Sequence, residues 1–330
     1  YTSSYGDSNY GQTEMQLNTS HGFRINDALK LSLAADIQWD GLKSSNYIAS
    51  RLTAFSAVAA SYVGDRFAAN AALEYSGAFD KGADSRSALS PSVDVKYTVF
   101  KGFDIKAFAR RAYRMPVFNE LYYVGYGNPS LKSEDAWMAD FGVWFERGAG
   151  SEWTVKANLD GFCNWLTDKI TSAPSEEDPN IWQPYNIGKV LSVGCDATAG
   201  LRYSGEKWTF DAKGQYTFQS ATDRTSGSST FGLQIPYIAR HTAILHLTVS
   251  WKGWHLNPSW QWRGGRTDGY GPLPSWNTLD VEFSKGLYLK GVGELVFTAA
   301  ARNIADCRYE IVSGYPMPGR NFIGGIKYSF

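Results

Sequence analysis

Hydrophobic and polar residues alternate with a period of two along most of the chain. In one run, Leu29, Leu31 and Leu33 alternate with Lys30 and Ser32. Successive side chains of a strand point to opposite faces, so each such run has one apolar and one polar face. No segment has the period of a convincing helix, and the sequence therefore predicts an all-β fold. The same alternation recurs in residues 93–99, 153–165, 191–203 and 208–218.

The alternating segments predict about fifteen strands, most of them longer than the five or six residues usual in globular sheets. A tilted strand needs roughly 9–11 residues to cross the hydrocarbon layer of a membrane. The predicted strands lie near residues 10–20, 27–39, 47–63, 66–79, 88–100, 103–114, 133–147, 152–169, 187–203, 207–220, 239–251, 254–264, 276–286, 293–304 and 320–330.

The connections between these strands alternate between short turns and long loops. Short turns on one side and long loops on the other are typical of outer-membrane barrels. The short turns lie at residues 63–66, 100–104, 147–152, 204–207 and 251–254. The long loops lie near residues 39–47, 79–88, 114–133, 170–187, 221–239, 264–276 and 305–320.

Aromatic residues cluster at the ends of the apolar faces, where a transmembrane barrel carries its two aromatic girdles. A soluble β-sandwich or propeller, the alternative, would have short strands and loops of similar length on both sides. The pattern therefore favours a transmembrane antiparallel β-barrel. The girdle residues are Trp39, Tyr62, Trp153, Trp165, Tyr203, Trp208, Trp251, Trp254, Trp260, Trp262, Tyr328 and Phe330.

An odd number of strands cannot close an antiparallel barrel, because the first and last strands would run in the same direction. Bacterial single-chain barrels have even strand counts, and an open edge in lipid costs several kcal/mol for each unpaired polar group. We therefore expect the chain to be one part of a larger barrel.

Composition excludes several kinds of partner and site. The chain has 330 residues, with 32 Lys plus Arg and 32 Asp plus Glu, so its formal net charge is zero. This balance argues against nucleic acid, which requires a basic patch. The cysteines and histidines lack metal-type spacing, and no catalytic motif is present, so neither a cofactor nor an enzymatic activity is predicted.

Two features allow alternative interpretations. Glu176, Glu177 and Asp178 lie in a long loop and could bind calcium. A solvated charge run is favoured, because three adjacent side chains do not easily converge on one ion. Cys163 and Cys195 lie on the apolar faces of neighbouring strands, where a disulfide is one interpretation and two small lipid-facing residues are the favoured one.

The segment from Arg111 to Glu134 contains two prolines and cannot continue the flanking strands, so it is predicted to be a long loop. Its residues RMPVFNELYY and GNPSLKSE resemble the signature of TonB-dependent outer-membrane receptors. Because that signature is shared by receptors for many ligands, we expect it to have a mainly structural role. The matching positions are Arg114, Pro116, Phe118, Asn119, Glu120, Leu121, Asn128, Pro129, Leu131 and Glu134.

The segment from Asn303 to Phe330 is similar to the C-terminal segment of the same family. The resemblance implies a barrel of about 22 strands with a plugged lumen, whose N-terminal plug contacts the TonB complex. The plug and roughly the first seven strands would then precede Tyr1. The ending at Tyr328 and Phe330 resembles the signal read by the barrel-assembly machinery. The implied location is the bacterial outer membrane, in contact with its lipid.

The resemblance implies an active-transport receptor that captures a scarce, large solute at its extracellular loops. The C-terminal segment is most like that of cobalamin receptors, and ferric-siderophore receptors are the second choice. No histidine lies between Pro116 and Pro129, which makes haem less favoured. Aromatic loop residues offer large contact area at low entropic cost. The candidates are Tyr122, Tyr123, Tyr126, Trp182, Tyr185, Tyr270, Trp276 and Tyr315.

Other classes of function and partner remain open from the sequence. A passive porin or structural barrel would have an open lumen, and a soluble adhesin or lectin would need no detergent. A surface lipoprotein is a further possible partner of a receptor.

Overall fold

Fifteen strands form one antiparallel sheet in which each strand pairs with its neighbours along the chain. The computed structural model describes residues 2–3, 6–7, 9–81, 84–150, 152–174 and 181–330. The predicted all-β fold and strand count are confirmed. The strands are β1 Tyr10–Arg24, β2 Leu29–Ser44, β3 Ile48–Val63, β4 Phe67–Asp80, β5 Arg86–Phe100, β6 Phe103–Arg114, β7 Glu134–Ala149, β8 Trp153–Pro174, β9 Trp182–Ser204, β10 Trp208–Asp223, β11 His241–Trp251, β12 Trp254–Arg263, β13 Trp276–Leu289, β14 Gly293–Arg302 and β15 Asn321–Ser329.

The sheet does not close within the described residues, because β1 and β15 form its two edges and do not pair with each other. Strand β1 is exposed along its whole length. Unpaired backbone groups at such edges would each cost several kcal/mol in lipid. The open sheet of fifteen strands agrees with the odd count that the sequence predicts.

Along the strands, apolar side chains face outward and polar side chains face the lumen of the barrel. On β8, Leu159 is 53% exposed on the outward face, whereas its neighbour Asp160 is 9% exposed. Buried apolar residues instead lie where the long loops emerge, which we call the long-loop end of the barrel. Two clusters occur there, Leu121 with Leu131 and Ile170, and Val190 with Ala221 and Ile235.

The strands extend further at the long-loop end than the sequence predicts. Predicted loops at 39–47 and 79–88 are shorter, because β2 continues to Ser44 and β4 to Asp80. The predicted loop at 170–187 is largely strand, because β8 and β9 pair from Trp153 to Pro174. Residues 168–174 of β8 and 182–189 of β9 pair with no other strand of the sheet, and they form a tall hairpin that stands above the wall.

A short helix contradicts the expectation that the chain has none. Helix α1 spans Phe118–Tyr122, inside the signature loop. It is too short for a 3.6-residue period to emerge from the sequence. No helix in the described ranges is long and apolar enough to cross a membrane.

Three small strand pairs lie outside the main sheet: Thr2–Ser3 with Gly6–Asp7, Arg266–Thr267 with Pro272–Leu273, and Glu310–Val312 with Tyr315–Pro316. The acidic run at Glu176, Glu177 and Asp178 lies outside the described residues. Cys163, Cys195 and Cys307 are free thiols, so the alternative of a disulfide between Cys163 and Cys195 is wrong.

Replacing Gly194 with alanine is expected to lower the free energy of unfolding by about 1–3 kcal/mol, the usual cost of overpacking. An added Cβ would lie 2.1 Å from the carbonyl oxygen of Phe218 on β10, so adjacent backbones must separate. Urea unfolding of the refolded protein measures the effect. Gly200→Ala is the control on the same strand, since its nearest contact would be an ordinary 3.7 Å. Equal destabilisation by both changes would contradict this prediction.

Candidate functional site

The signature loop is shorter than predicted and comprises residues 115–133, because β6 continues to Arg114 and β7 begins at Glu134. Pro116 prevents β6 from continuing further. Helix α1 follows directly and is stabilised at its start by Glu120. The Glu120 side chain accepts a hydrogen bond from the backbone N–H of Val117 at 2.9 Å. One otherwise unpaired donor of the first helical turn is satisfied in this way.

Arg114 connects the two ends of the signature loop. Its Nε and Nη2 donate to the two oxygens of Glu134 at 2.8 and 2.9 Å, and its Nη1 donates to Glu120 at 3.1 Å. Glu134 also accepts the backbone N–H of Ile170 at 2.8 Å. The bidentate pairing fixes the entry and exit of the loop relative to the tall hairpin.

The apolar side of α1 forms the main core of the long-loop end. Leu121 is fully buried and packs with Leu131 and Ile170, while Tyr122 covers the cluster. Ile170 belongs to the tall hairpin, so this core joins the loop to β8.

Polar residues further along the loop bind the same hairpin. The Asn128 side-chain amide donates to the carbonyl of Pro184 at 3.1 Å. The Tyr126 hydroxyl lies 2.7 Å from the hydroxyl of Ser172. Most of the signature residues therefore contact the tall hairpin or other parts of the loop, and they are not presented to solvent.

A buried ionic node beneath α1 contains residues that the sequence analysis missed. Arg51 donates through Nε and Nη2 to Asp80 at 2.5 and 2.9 Å, and through Nη1 to the carbonyl of Pro116 at 2.9 Å. Arg86 donates to the same carboxylate at 3.0 Å. Burial raises the pKa of Tyr122, and the nearby Asp80 carboxylate adds to that shift. The Tyr122 hydroxyl donates to the Asp80 carboxylate at 3.4 Å.

The predicted capture aromatics divide into buried and exposed groups. Tyr122 and Tyr126 are half-buried and have the contacts described above. Trp276 is 7% exposed, and its ring packs at a tilt against that of Tyr309, with the centroids 4.3 Å apart. Trp182 and Tyr185 lie on strand β9 rather than in a loop, which corrects their predicted position. The exposed members are Tyr123, Trp182, Tyr185, Tyr270 and Tyr315.

Tyr270 and Tyr315 are the most exposed of these aromatics, at 79% and 71%. Tyr270 lies in the turn between two short strands, and Tyr315 lies in the hairpin of Glu310–Val312. Arg266 holds that hairpin in place by donating to the carbonyls of Glu310 and Ile311 at 2.5 and 3.2 Å. Both tyrosines therefore project from ordered turns at the long-loop end.

Acid is expected to loosen the turn that carries Tyr270. Asp268 accepts the backbone N–H groups of Gly271 and Tyr270 at 2.7 and 2.8 Å, and these bonds hold the pKa of its carboxyl below the usual range. Because the folded-state pKa is lowered, the stabilisation is present above the ordinary pKa of about 3.9 and is lost as pH falls through the folded value. Hydrogen exchange at Tyr270 and Gly271, followed from pH 7 down to about pH 2 and corrected for intrinsic rates, measures the loss. The Asp268→Asn variant should lack this pH dependence; an unchanged profile would contradict the assignment.

The predicted C-terminal motif also forms an ordered structure. The Asn303 side chain donates to the carbonyls of Cys307 and Pro318 at 2.9 and 3.3 Å and accepts the N–H of Cys307 at 2.9 Å. At the end of the chain, the ring of Phe330 is fully exposed and lies 6.1 Å from Tyr328.

Comparison with known families identifies the chain. The family model described as TonB dependent receptor-like, beta-barrel matches residues 1–304. The chain belongs to the TonB-dependent receptor family. This membership favours a receptor barrel over the passive porin and the soluble lectin that the sequence alone left open.

Curated relatives include the vitamin B12 transporter BtuB of Vibrio cholerae serotype O1, which is 23% identical over 99% of this chain and 51% of its own length. A BtuB from Photobacterium profundum is 25% identical over 32% of this chain and 17% of its own length. The chain thus spans about half the length of the Vibrio relative.

Solved structures show the same fold. The copper transporter OprC has a TM-score of 0.75 at 16% identity, over 98% of this chain and 57% of that structure. The siderophore receptor PirA from Acinetobacter baumannii has a TM-score of 0.71 at 16% identity, over 98% and 55%. At such identities the likeness establishes the barrel and does not choose a solute.

Proposed function

We propose that the full-length protein is an outer-membrane receptor that captures a large, scarce solute and imports it with energy from the TonB complex, through an N-terminal plug. The observation that carries this proposal is family membership over residues 1–304. Cobalamin is the favoured solute, because the Vibrio cholerae relative named a vitamin B12 transporter aligns over 99% of the chain. Barrel-assembly machinery and outer-membrane lipid are proposed partners, and a surface lipoprotein is a further one.

Ferric siderophores are the second candidate solute. They are favoured by the iron and siderophore transporters among the structural neighbours, and by the signature that such receptors share. Haem remains less favoured, since no histidine occurs between Pro116 and Pro129.

Within this receptor, we assign solute capture to the exposed aromatics at the long-loop end. Tyr123, Trp182, Tyr185, Tyr270 and Tyr315 have rings open to solvent, and they lie on ordered hairpins and turns. Rigid aromatic side chains lose little entropy on binding. The half-buried Tyr122 and Tyr126 are assigned a supporting role in the loop.

Equilibrium titration of the full-length receptor with cyanocobalamin and with ferric siderophores tests the solute. We expect sub-micromolar binding of cobalamin, and its absence would count against the first choice. Replacing both Tyr270 and Tyr315 with alanine should weaken binding about tenfold, the effect of losing about 1.4 kcal/mol of contact energy. Tyr288→Ala is the matched control, since Tyr288 is also 79% exposed but lies at the opposite end of the barrel. A similar loss in the control would contradict the assignment of Tyr270 and Tyr315.

A further inference from the structure

The outward face of the barrel carries an aromatic depression next to the short turns. Trp208 and Trp251 stack at 5.4 Å, and Trp254 lies 5.0 Å from Phe283. These rings line a depression of about 380 Å³, together with Val249 and Leu256. All four rings are 37–49% exposed.

Two lysines lie at the edge of this depression. The Lys252 ammonium is 5.3 Å from the ring centroid of Trp251, and the Lys285 ammonium is 4.7 Å from that of Trp254. Lys285 also donates to the carbonyl of Lys252 at 2.6 Å, which brings the two residues together. Neither lysine forms an ion pair with any carboxylate in the described part of the chain. Each ammonium therefore retains donors for an external anion.

A second apolar depression continues the first toward the middle of the wall. It measures about 720 Å³ and is lined by Leu245, Leu247, Leu201 and the small residues Ala199 and Ala212. Leu247 is two residues from Val249 on β11, so the two depressions lie end to end on the same outward face. Small residues beside leucines leave a groove between the strands.

We propose that this composite groove is a binding site for one anionic phospholipid of the leaflet on the short-turn side. Its phosphate binds Lys252 and Lys285, the glycerol region contacts the tryptophans, and one acyl chain lies in the groove along Leu247 and Leu245. Basic residues next to a membrane surface attract anionic headgroups, and tryptophan prefers the interface between headgroups and hydrocarbon. Charge complementarity selects a lipid over an apolar protein surface, since two unpaired ammonium groups would be costly to bury against apolar atoms.

Native mass spectrometry of the full-length protein with dimyristoyl phosphatidylglycerol tests this site. Each lysine near a headgroup is worth about fivefold in affinity, so the double variant Lys252→Gln and Lys285→Gln should bind this lipid roughly thirtyfold more weakly. The matched control removes two charges from other short turns, through Arg66→Gln and Lys101→Gln. Lys101 follows Phe100, whose ring stacks on that of Phe103 at 5.1 Å. The described residues of this turn therefore offer a lysine beside aromatic rings but no tryptophan. The control should bind as the parent does.

A second measurement examines the groove itself. Lipid with brominated acyl chains should quench tryptophan fluorescence in the parent, and Ala212→Phe, which fills the groove, should reduce the quenching without changing the lysines. Equal lipid affinity of the double-lysine variant and the control would overturn the proposal. A protein dimer that retains no lipid would also overturn it, because a second copy would then cover the face. The test requires no transported solute, so its outcome is independent of the proposed receptor function.

Discussion

Replacing Asp80 with asparagine is expected to lower the free energy of unfolding by about 3–5 kcal/mol, the cost of breaking a buried ion pair. The carboxylate of Asp80 is the shared partner of two arginines, Arg51 and Arg86. Arg51 and Asp80 are each below 10% exposed, so water cannot effectively solvate the arginine charge once the carboxylate is lost. Arg51 also holds the carbonyl of Pro116, and the effect should therefore reach the signature loop.

Urea unfolding of the refolded protein measures the stability change, and limited proteolysis between residues 115 and 133 measures loosening of the loop. Asp27→Asn is the control, because the Asp27 side chain is fully exposed beside Arg24. Exposed pairs of this kind contribute about 0–1 kcal/mol. If Asp80→Asn changes stability no more than the control does, the node is not a stabilising element.

The barrel wall could be predicted from the sequence because its physical requirement is local. A strand between lipid and a polar lumen must alternate at every position, and the runs around Leu31 and Leu159 display this without any knowledge of their partners. Strand ends were less predictable. Asp168 adopts a left-handed conformation, φ 54°, which disturbs the alternation in β8. Pro174 and Pro184 lack a backbone N–H and so suggest a loop, whereas both belong to the strands of the tall hairpin.

The candidate site depends on contacts that the sequence does not display. Arg51 and Asp80 are directly opposite on β3 and β4, but recognising this requires the register of the hairpin. The register of β3 against β4 was the signal that could have revealed the pair. An error of two residues in that register would have hidden it. Exposure of the aromatics was equally inaccessible, because Trp276 and Tyr270 belong to the same predicted long loop while one is buried and the other is open.

Leu121→Ala is expected to destabilise the long-loop end by about 2–5 kcal/mol, through lost burial and the cavity left behind. Leu121 is fully buried, and its contacts with Leu131 and Ile170 are the main apolar link between α1 and the tall hairpin. The wall has its own ladder of hydrogen bonds, so the loss should concentrate in the loop. Hydrogen exchange resolved by segment should therefore rise in residues 115–133 and remain unchanged in β11 and β12.

Val117→Ala is the matched control for this prediction, since Val117 adjoins the same helix but is 52% exposed. Its effect on stability should stay within about 0.5 kcal/mol. A uniform rise in exchange across all strands would show that α1 supports the whole barrel rather than its mouth. An unaltered loop would show that Arg114 and its two carboxylates hold the signature loop without the apolar core. A local rise would instead assign Leu121 the task of fixing the loop against the hairpin that carries Trp182 and Tyr185.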